Sequence, residues 1–551
     1  MSYQEIRQIR NELKKTWKHF FRPFGGRLHP IQVKAIPPIL EKNNVIIQSP
    51  TASGKTEAVM APLIENLLKT SYESPAVIYI CPTRALVYDI YERLHQQIED
   101  IGLSIAIRTG EIRQFKPKNP QDIIITTPES LDSMLCRYQK IMPNLEYAVL
   151  DELHLLHGNY RGDQLHMDLL RLEEFALKPI QYCALSATFK NPEDIAPTYF
   201  SPFKVVKASG ARKIEYRLIE YQHRKLALSN ILTEFKKTRV RKAIFFCNSR
   251  RGTEETAKIM KEIKTWPSER IHVHHGSLGK TERLSVETSM KQKGNIGLCT
   301  ATMTLEVGID IGDIDMIVLI HPPPGVSSLL QRIGRGNRRE NTTRSIGCYA
   351  NKTEHDEFVE LFTLAMNGEL EMIEGGPCLS VAIQQILSVL YQKKWSGETE
   401  EYLINFLEKL PMKDEHIPLL FEILLENEYL VIHRGRYFPS VKTIDLGDRG
   451  FIHANIPSSL AYNVVNEMTG STVGEIATFD NINNQFVLSG KRWFVESIEG
   501  SKMRVSERKT RESEIPYFSP AKQHGKYFFL LSQELKDICC ESLDPISENK
   551  I

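Results

Sequence analysis

The sequence predicts an α/β protein: two tandem parallel-sheet lobes, then a helical domain ending in a β-ribbon, then a β-rich region. Three observations carry this expectation. Short apolar runs at 45–48, 76–81, 122–126, 147–150 and 181–185 alternate with segments of helical spacing, the pattern of βα units feeding a parallel sheet. The alternation starts again at 242–247, 271–274, 296–299 and 316–320, after a charged stretch near 204–217. Beyond 375 it gives way to three helical segments, and beyond 448 to β-favouring runs between Gly and Asn turns. These changes of period place lobes at 1–208 and 209–372, a winged-helix domain at 373–442 and a β-rich domain with a polar tail at 443–551.

The first lobe contains the clearest chemistry. Residues 45–48 form a short buried strand, Ser49 to Thr56 make a turn, and 57–68 have helical apolar spacing. That order is the context of a phosphate-binding loop. Backbone N–H groups of Ser49, Thr51, Ala52, Ser53 and Gly54, with the helix N-terminus, would cradle phosphate oxygens; Lys55 would neutralise the outer phosphates and Thr56 would ligate magnesium. Ser49 stands where the usual pattern has its first Gly. Asp151-Glu152-Leu153-His154 caps the apolar run 147–150. Two adjacent carboxylates at a buried strand's end suit metal-assisted hydrolysis, with Asp151 holding the metal's water shell and Glu152 orienting and deprotonating the attacking water. ATP and Mg2+ are the expected cofactors. His154 has no use in a plain ATPase, and strand alternation would return its side chain to the face carrying Glu152. The second lobe has no phosphate loop, so it is expected to close over nucleotide held by the first.

Composition sets the outer limits. A chain of 551 residues, 41% apolar and 25% charged, supports several cores. Net charge is +2, so any nucleic-acid surface must be a local groove. The 9 cysteines are scattered singly except for Cys539-Cys540, with no Cys-x-x-Cys pair, which argues for free thiols in a reducing compartment and against a four-cysteine zinc site. No stretch approaches the roughly 20 apolar residues that span a bilayer. A cytoplasmic protein without a membrane partner is expected.

The remaining motifs fall into an ordered series. The first lobe carries Phe24 and Gln32 in Phe24-Gly-Gly-Arg-Leu-His-Pro-Ile-Gln32, then Pro82-Thr83-Arg84-Ala85-Leu86, Thr109-Gly110, Thr126-Thr127-Pro128-Glu129-Ser130 and Ser186-Ala187-Thr188. The second carries Asn248-Ser249-Arg250, His274-His275-Gly276-Ser277, Thr300-Ala301-Thr302 through Gly308-Ile309-Asp310, and Gln331-Arg332-Ile333-Gly334-Arg335-Gly336-Asn337-Arg338. The series resembles a superfamily 2 helicase of the DExH type, and within that superfamily the core of the large helicase-related family, Lhr. Three runs carry the closer match: Asp151 to His154 with Arg161-Gly162, His274 to Leu278, and Leu305 to Gly312. Among the departures, family members often end the last motif in Gly-His where this chain has Gly336-Asn337-Arg338-Arg339.

The resemblance implies two RecA-like lobes, a winged helix and a β-rich domain, and a role for each motif. Phe24 and Gln32 would read adenine, and Gly308 and Asp310 would contact the nucleotide. Arg335 and Arg338 would stabilise the transition state from the second lobe, and Gln331 is a further catalytic candidate there. His154, facing Gln331 across the cleft, would with Ser186 and Thr188 link hydrolysis to closure. A single strand would be held through its phosphates by Thr83, Arg84, Thr109, Gly110, Thr127, Ser249, Arg250, His275, Gly276, Thr300 and Thr302. Trp493 either stacks on a base or anchors its domain, and the winged helix, with Gly435 turning its wing, either touches DNA or braces the lobes.

The function expected is an ATP-dependent 3′-to-5′ single-stranded DNA translocase or helicase, acting on single strands or tailed duplexes. Two alternatives stand beside it: an RNA helicase, and an ATP-gated nucleic-acid-binding subunit with protein partners in a repair or phage-defence complex. Only ten residues, 321–330, separate the last strand from Gln331, too few for a long strand-separating hairpin, so any wedge must come from the winged helix or the β domain.

Overall fold

The computed structural model describes residues 3–49, 53–187, 191–207, 213–292, 294–305, 311–337, 342–368, 379–456, 462–470, 472–476, 485–488, 491–499, 502–507, 525–532 and 534–536. The chain divides into two compact units, one of Met1–Ser209, Met372–Pro457 and Lys522–Ile551, the other of Gly210–Glu371 and Ser458–Ala521.

The first unit is built on seven strands: β1 (Val45–Gln48), β2 (Val77–Ile80), β3 (Ile105–Arg108), β4 (Ile123–Thr126), β5 (Tyr147–Leu150), β6 (Gln181–Ser186) and β7 (Lys204–Lys207). They pair in the order β3-β4-β2-β5-β6-β1-β7, all parallel. Helices cover both faces of such a sheet, which is why the central strands read as unbroken apolar runs and are buried along their length. The charged stretch 204–217 opens with β7, an edge strand whose exposed Lys207 discourages further pairing.

The second unit repeats the plan with β8 (Lys213–Glu220), β9 (Lys242–Cys247), β10 (Ile271–His274), β11 (Gly297–Ala301), β12 (Met316–Ile320) and β13 (Thr342–Tyr349). The order is β10-β11-β9-β12-β13-β8, again all parallel. β8 and β13 are additions to the four strands expected from apolar runs, and β8 is half exposed along its length.

The winged helix belongs to the first unit. Helices Leu379–Gln392, Glu400–Leu407 and His416–Glu426 precede a ribbon of β14 (Leu430–His433) and β15 (Arg436–Pro439). Arg434 and Gly435 both have positive φ, 49° and 73°, the two-residue turn whose twist matches a hairpin. Met167 of the first lobe lies in the same core as Ile383, Ile386, Leu387 and Leu390, together with Tyr527 and Leu531 from near the C-terminus. A helix, Val441–Asp448, follows the ribbon.

The β-rich region belongs to the second unit. β16 (Tyr462–Asn466), β17 (Thr472–Ile476), β18 (Gln485–Leu488), β19 (Lys491–Glu499) and β20 (Lys502–Glu507) pair in the order β17-β16-β20-β19-β18, with β16 and β20 parallel and the rest antiparallel. Val464, Val473, Trp493, Met503 and Val505 share one core with Phe235, Phe245 and Leu278 of the second lobe. Gly279 N–H donates to the Val473 carbonyl at 3.0 Å. Trp493 is 3% exposed, so it offers no ring face for a base, and the anchoring alternative is the one the fold contains.

Trp493→Ala is therefore expected to destabilise the second unit by about 3–5 kcal/mol, the cost of emptying a buried aromatic site. Trp395→Ala, at a position 90% exposed, should change stability little. Urea unfolding of the two variants checks the contrast; equal midpoints would count against it.

Candidate functional site

Because every strand of the first sheet runs the same way, the segments that follow them all leave one edge. The phosphate loop after β1, Thr83 after β2, Thr109 after β3, Thr127 after β4, Asp151 after β5 and the end of β6 at Ser186 are gathered there. This is the edge where open α/β sheets bind ligands.

The loop is held from two sides. Ser49 N–H donates to the Ser186 carbonyl at 3.0 Å, tying the end of β1 to the end of β6. Gly54, with φ of 81°, starts the helix Lys55–Leu67 from the left-handed region, and a Cβ there would lie 2.3 Å from Gln32 Nε2. Only glycine meets both demands. Gln32 is bound at both ends of its amide: its Oε1 accepts from His29 N–H at 2.8 Å and its Nε2 donates to the Gly54 carbonyl at 3.1 Å. It thus joins the segment before the first lobe's sheet to the phosphate loop. Phe24 is 64% exposed, an open ring face near the start of that segment's helix. Lys55 Nζ donates to the Ser49 carbonyl at 2.6 Å, and Thr56 is buried beside it on the first turn. The Ser49 and Ser53 hydroxyls are buried without hydrogen-bond partners among the described residues, polar groups that phosphate oxygens or a metal's water shell would satisfy. Thr51 and Ala52 lie outside the described residues.

The acids sit beyond β5. Asp151 accepts from Tyr79 Oη at 2.9 Å and from the Glu152 N–H at 2.9 Å. Burial first, and then the Glu152 charge, raise the Asp151 carboxyl to about 7, against the opposing hydrogen bond from Tyr79 and the Lys55 charge. Glu152 has φ of 44°, and Leu153–Leu155 form a 3-10 turn. The alternation expected for His154 therefore does not exist here. The left-handed turn at Glu152 does the same work: His154 Nδ1 lies 3.5 Å from Glu152 Oε2 and 3.2 Å from Ser186 Oγ. Thr188 lies outside the described residues.

Among the expected strand contacts of this unit, Thr83 caps the helix Arg84–Glu99 by accepting from Leu86 N–H at 3.3 Å. Arg84 is ion-paired with Glu111, and Gly110 lies against the Arg84 guanidinium, which would be 3.4 Å from a Cβ. Thr109 Oγ1 accepts from Ile112 N–H at 3.1 Å. Thr127 is the N-cap residue of the helix Pro128–Arg137, with its hydroxyl 3.4 Å from Ser130 Oγ. Sequence reasoning missed what holds this motif: Arg161 Nε donates to Glu129 Oε1 at 2.6 Å, and a Cβ on Gly162 would stand 2.0 Å from the Leu156 carbonyl oxygen. The Arg161-Gly162 pair is thus a close helix approach plus a clamp. Tyr79, the one hydroxyl in the apolar run of β2, was the other signal available.

In the second unit, Ser249 caps the helix Arg250–Ile263 by accepting from Gly252 N–H at 3.0 Å. Two expected phosphate contacts are committed elsewhere. His275 is buried with Nε2 2.9 Å from Glu254 Oε1, and Thr300 is buried in β11 with its hydroxyl on the His272 carbonyl at 3.3 Å. Gly276, next to His275, has only the Thr304 methyl near its Cβ position, at 3.7 Å. Thr302 follows β11, with Oγ1 3.5 Å from Thr304 Oγ1. Gln331 and Arg335 are buried. Between them Arg332 donates to Asn248 Oδ1 at 2.8 Å, with its guanidinium 5.6 Å from the Phe246 ring centre. Gly308, Asp310 and Arg338 lie outside the described residues, as do Cys539 and Cys540.

Among the described residues no helix is long and apolar enough to cross a membrane.

Residues 29–195 match the DEAD/DEAH box helicase family, and residues 224–340 match the helicase conserved C-terminal domain. The chain is 30% identical over 578 aligned residues to the ATP-dependent helicase Lhr-Core of Methanocaldococcus jannaschii, an alignment covering 94% of this chain and 65% of the relative. It therefore spans just under two thirds of that relative's length. Its fold is similar to that of the Mycobacterium smegmatis helicase Lhr, solved bound to ssDNA and AMP-PNP, with a TM-score of 0.69 at 23% identity over 80% of this chain and 62% of that one. It is also similar to the DUF1998 helicase MrfA, solved bound to DNA and AMPPNP, with a TM-score of 0.71 at 21% identity over 90% of this chain and 72% of that one. The chain thus carries a DEAD/DEAH box helicase domain followed by a helicase conserved C-terminal domain, and over most of its length it resembles the Lhr core.

Proposed function

We propose that the chain is an ATP- and magnesium-dependent motor on single-stranded DNA, translocating 3′ to 5′ and unwinding tailed duplexes. The observation that carries the reading is the convergence of Lys55, Asp151, Glu152 and the His154–Ser186 pair on one edge of the first sheet. In this reading Lys55 leaves the Ser49 carbonyl for the outer phosphates, and Thr56 and Asp151 hold the metal, Asp151 through its water shell. The metal, when bound, supplies charge neutralisation on the phosphates. Glu152 takes the proton of the attacking water, ATP yielding ADP and phosphate. Arg335 and Arg338 keep the transition-state roles and Gln331 its place opposite His154 that the resemblance implies, and Gly308 and Asp310 the nucleotide contacts. His154, within reach of both Glu152 and Ser186, is the residue through which hydrolysis is coupled to movement. DNA is taken first because the neighbours of higher TM-score were solved with it, although others of the same fold were solved with RNA, and phosphate contacts alone do not distinguish the sugar. An RNA helicase and an ATP-gated binding subunit remain the readings to be tested against it. Displacement of a labelled strand from tailed duplexes varied in tail polarity and sugar decides among the three: release only from 3′-tailed DNA is expected, and stimulation by RNA alone, or no displacement at all, would replace the reading.

Three outcomes follow at the residues. Glu152→Gln should retain ATP binding while turnover falls roughly 10²–10⁴-fold, the usual worth of a general base. Asp151 is protonated below about 7 and ionised above it, so the Mg2+ concentration needed for half-maximal turnover should rise as pH falls through that value; an identical requirement on both sides of it would exclude the assignment. His154→Ala should spare basal turnover and lose its stimulation by nucleic acid, measured by phosphate release with and without a single strand.

A further inference from the structure

The helix Leu379–Gln392 is buried along almost its whole length, yet it carries Gln385, Ser388 and Gln392 at i, i+3 and i+7, on one face. All three reach side chains of the first lobe. Gln385 Nε2 donates to Asp168 Oδ1 at 3.1 Å, Ser388 Oγ donates to the Asp132 oxygens at 2.6 and 2.8 Å, and Gln392 Oε1 accepts from Arg171 Nε at 3.1 Å. His453 completes the set, with Nδ1 2.6 Å from Asp132 Oδ2. Its backbone carbonyl accepts from Gln164 Nε2 at 2.9 Å.

At the centre is Arg171, 1% exposed, ion-paired with Asp132 and 3.4 Å from Asp168 Oδ1. Burial opposes ionisation of Asp132, but the Arg171 charge and the His453 and Ser388 hydrogen bonds outweigh it and hold the carboxyl near 2. Asp132, Cys136 and His453 lie close enough to ligate a metal. The guanidinium already fills that role, since Arg171 Nη2 is 3.3 Å from Cys136 Sγ as well as paired with Asp132.

Asp132 lies on the helix Pro128–Arg137, whose N-cap is Thr127. Five residues of helical rise separate the two, about 7.5 Å. Glu129, between them, is clamped by Arg161. An apolar contact in place of this network would let the helix slide, whereas a buried polar set that takes up both Asp132 oxygens restricts the helix to few arrangements. Close packing then carries that restriction to the helix end.

We propose that Ser388 and His453, directly through Asp132, and Gln385, through Asp168 and Arg171, are positioning residues that set the helix whose N-terminus presents Thr127 to a nucleic-acid strand. The winged helix thereby acts on strand binding from within the first unit. This rests on the reading above that Thr127 contacts the strand.

The test uses the full chain with oligothymidylate as probe, comparing wild type with Ser388→Ala, His453→Ala and His453→Asn. Asn preserves a donor close to the position of His453 Nδ1. In the two alanine variants the oligonucleotide concentration giving half-maximal ATPase stimulation should rise roughly tenfold, the worth of one buried charge-assisted hydrogen bond. Basal ATPase should stay unchanged, and His453→Asn should recover most of the loss. Gln385→Ala, which leaves the Arg171–Asp132 pair intact, should show the same split if an alanine variant at 388 or 453 does not fold. Equal half-saturation in all variants, or basal and stimulated rates falling together, would overturn the proposal while leaving the motor reading intact. A wild type that neither DNA nor RNA stimulates would overturn both.

Discussion

Parallel pairing is the constraint on which the rest depends. In the sheet of each lobe every strand runs in one direction, so every connection must cross back along a face and every following segment must emerge at one edge. Motifs scattered over most of the first lobe need no other device to meet in the first unit: β1, β2, β3, β4, β5 and β6 each deliver one. The second sheet does the same for Ser249, His275 and Thr302. Strand order alone then decides which motifs are neighbours, and β1 beside β6 puts the phosphate loop next to Ser186.

At that edge burial creates a conflict that the fold eases by geometry. Asp151 and Glu152 are adjacent like charges in a buried place, and the first is raised far above an ordinary carboxyl as a result. The Tyr79 hydroxyl and the Glu152 N–H take up both oxygens of Asp151, and the left-handed turn sends the Glu152 side chain towards His154. Glu152 thereby gains a neighbour in His154, while its charge still raises Asp151.

Much of this was legible. The phosphate loop, the two acids and the two runs of βα units follow from apolar period and a few residue types, since buried parallel strands admit little but Val, Ile and Leu. Other features were not. β7 and β8 are edge strands, and their charges, written in the sequence as Lys204, Lys207 and Lys213, keep them out of any apolar-run pattern. His154 was matched with Glu152 for the wrong reason, because the sequence carries no mark of a positive φ at a glutamate. The Arg161–Glu129 clamp and the Arg171 network join residues far apart in the chain, which period cannot reveal. A polar stripe in the apolar run 379–392 was the visible trace of the second. Trp493 was open in sequence, since a tryptophan in a strand serves equally to stack or to pack, and only its burial separates the two.

The division of the chain has a consequence for its fragments. The polypeptide passes between the two units four times, after Ser209, Glu371, Pro457 and Ala521. The β-rich strands complete a core begun by the second lobe, and residues near the C-terminus complete one begun by the first. No single cut yields two whole units. A gene fragment ending after the second lobe would encode neither, and the winged helix and β-rich region are woven into the two lobes rather than appended to them.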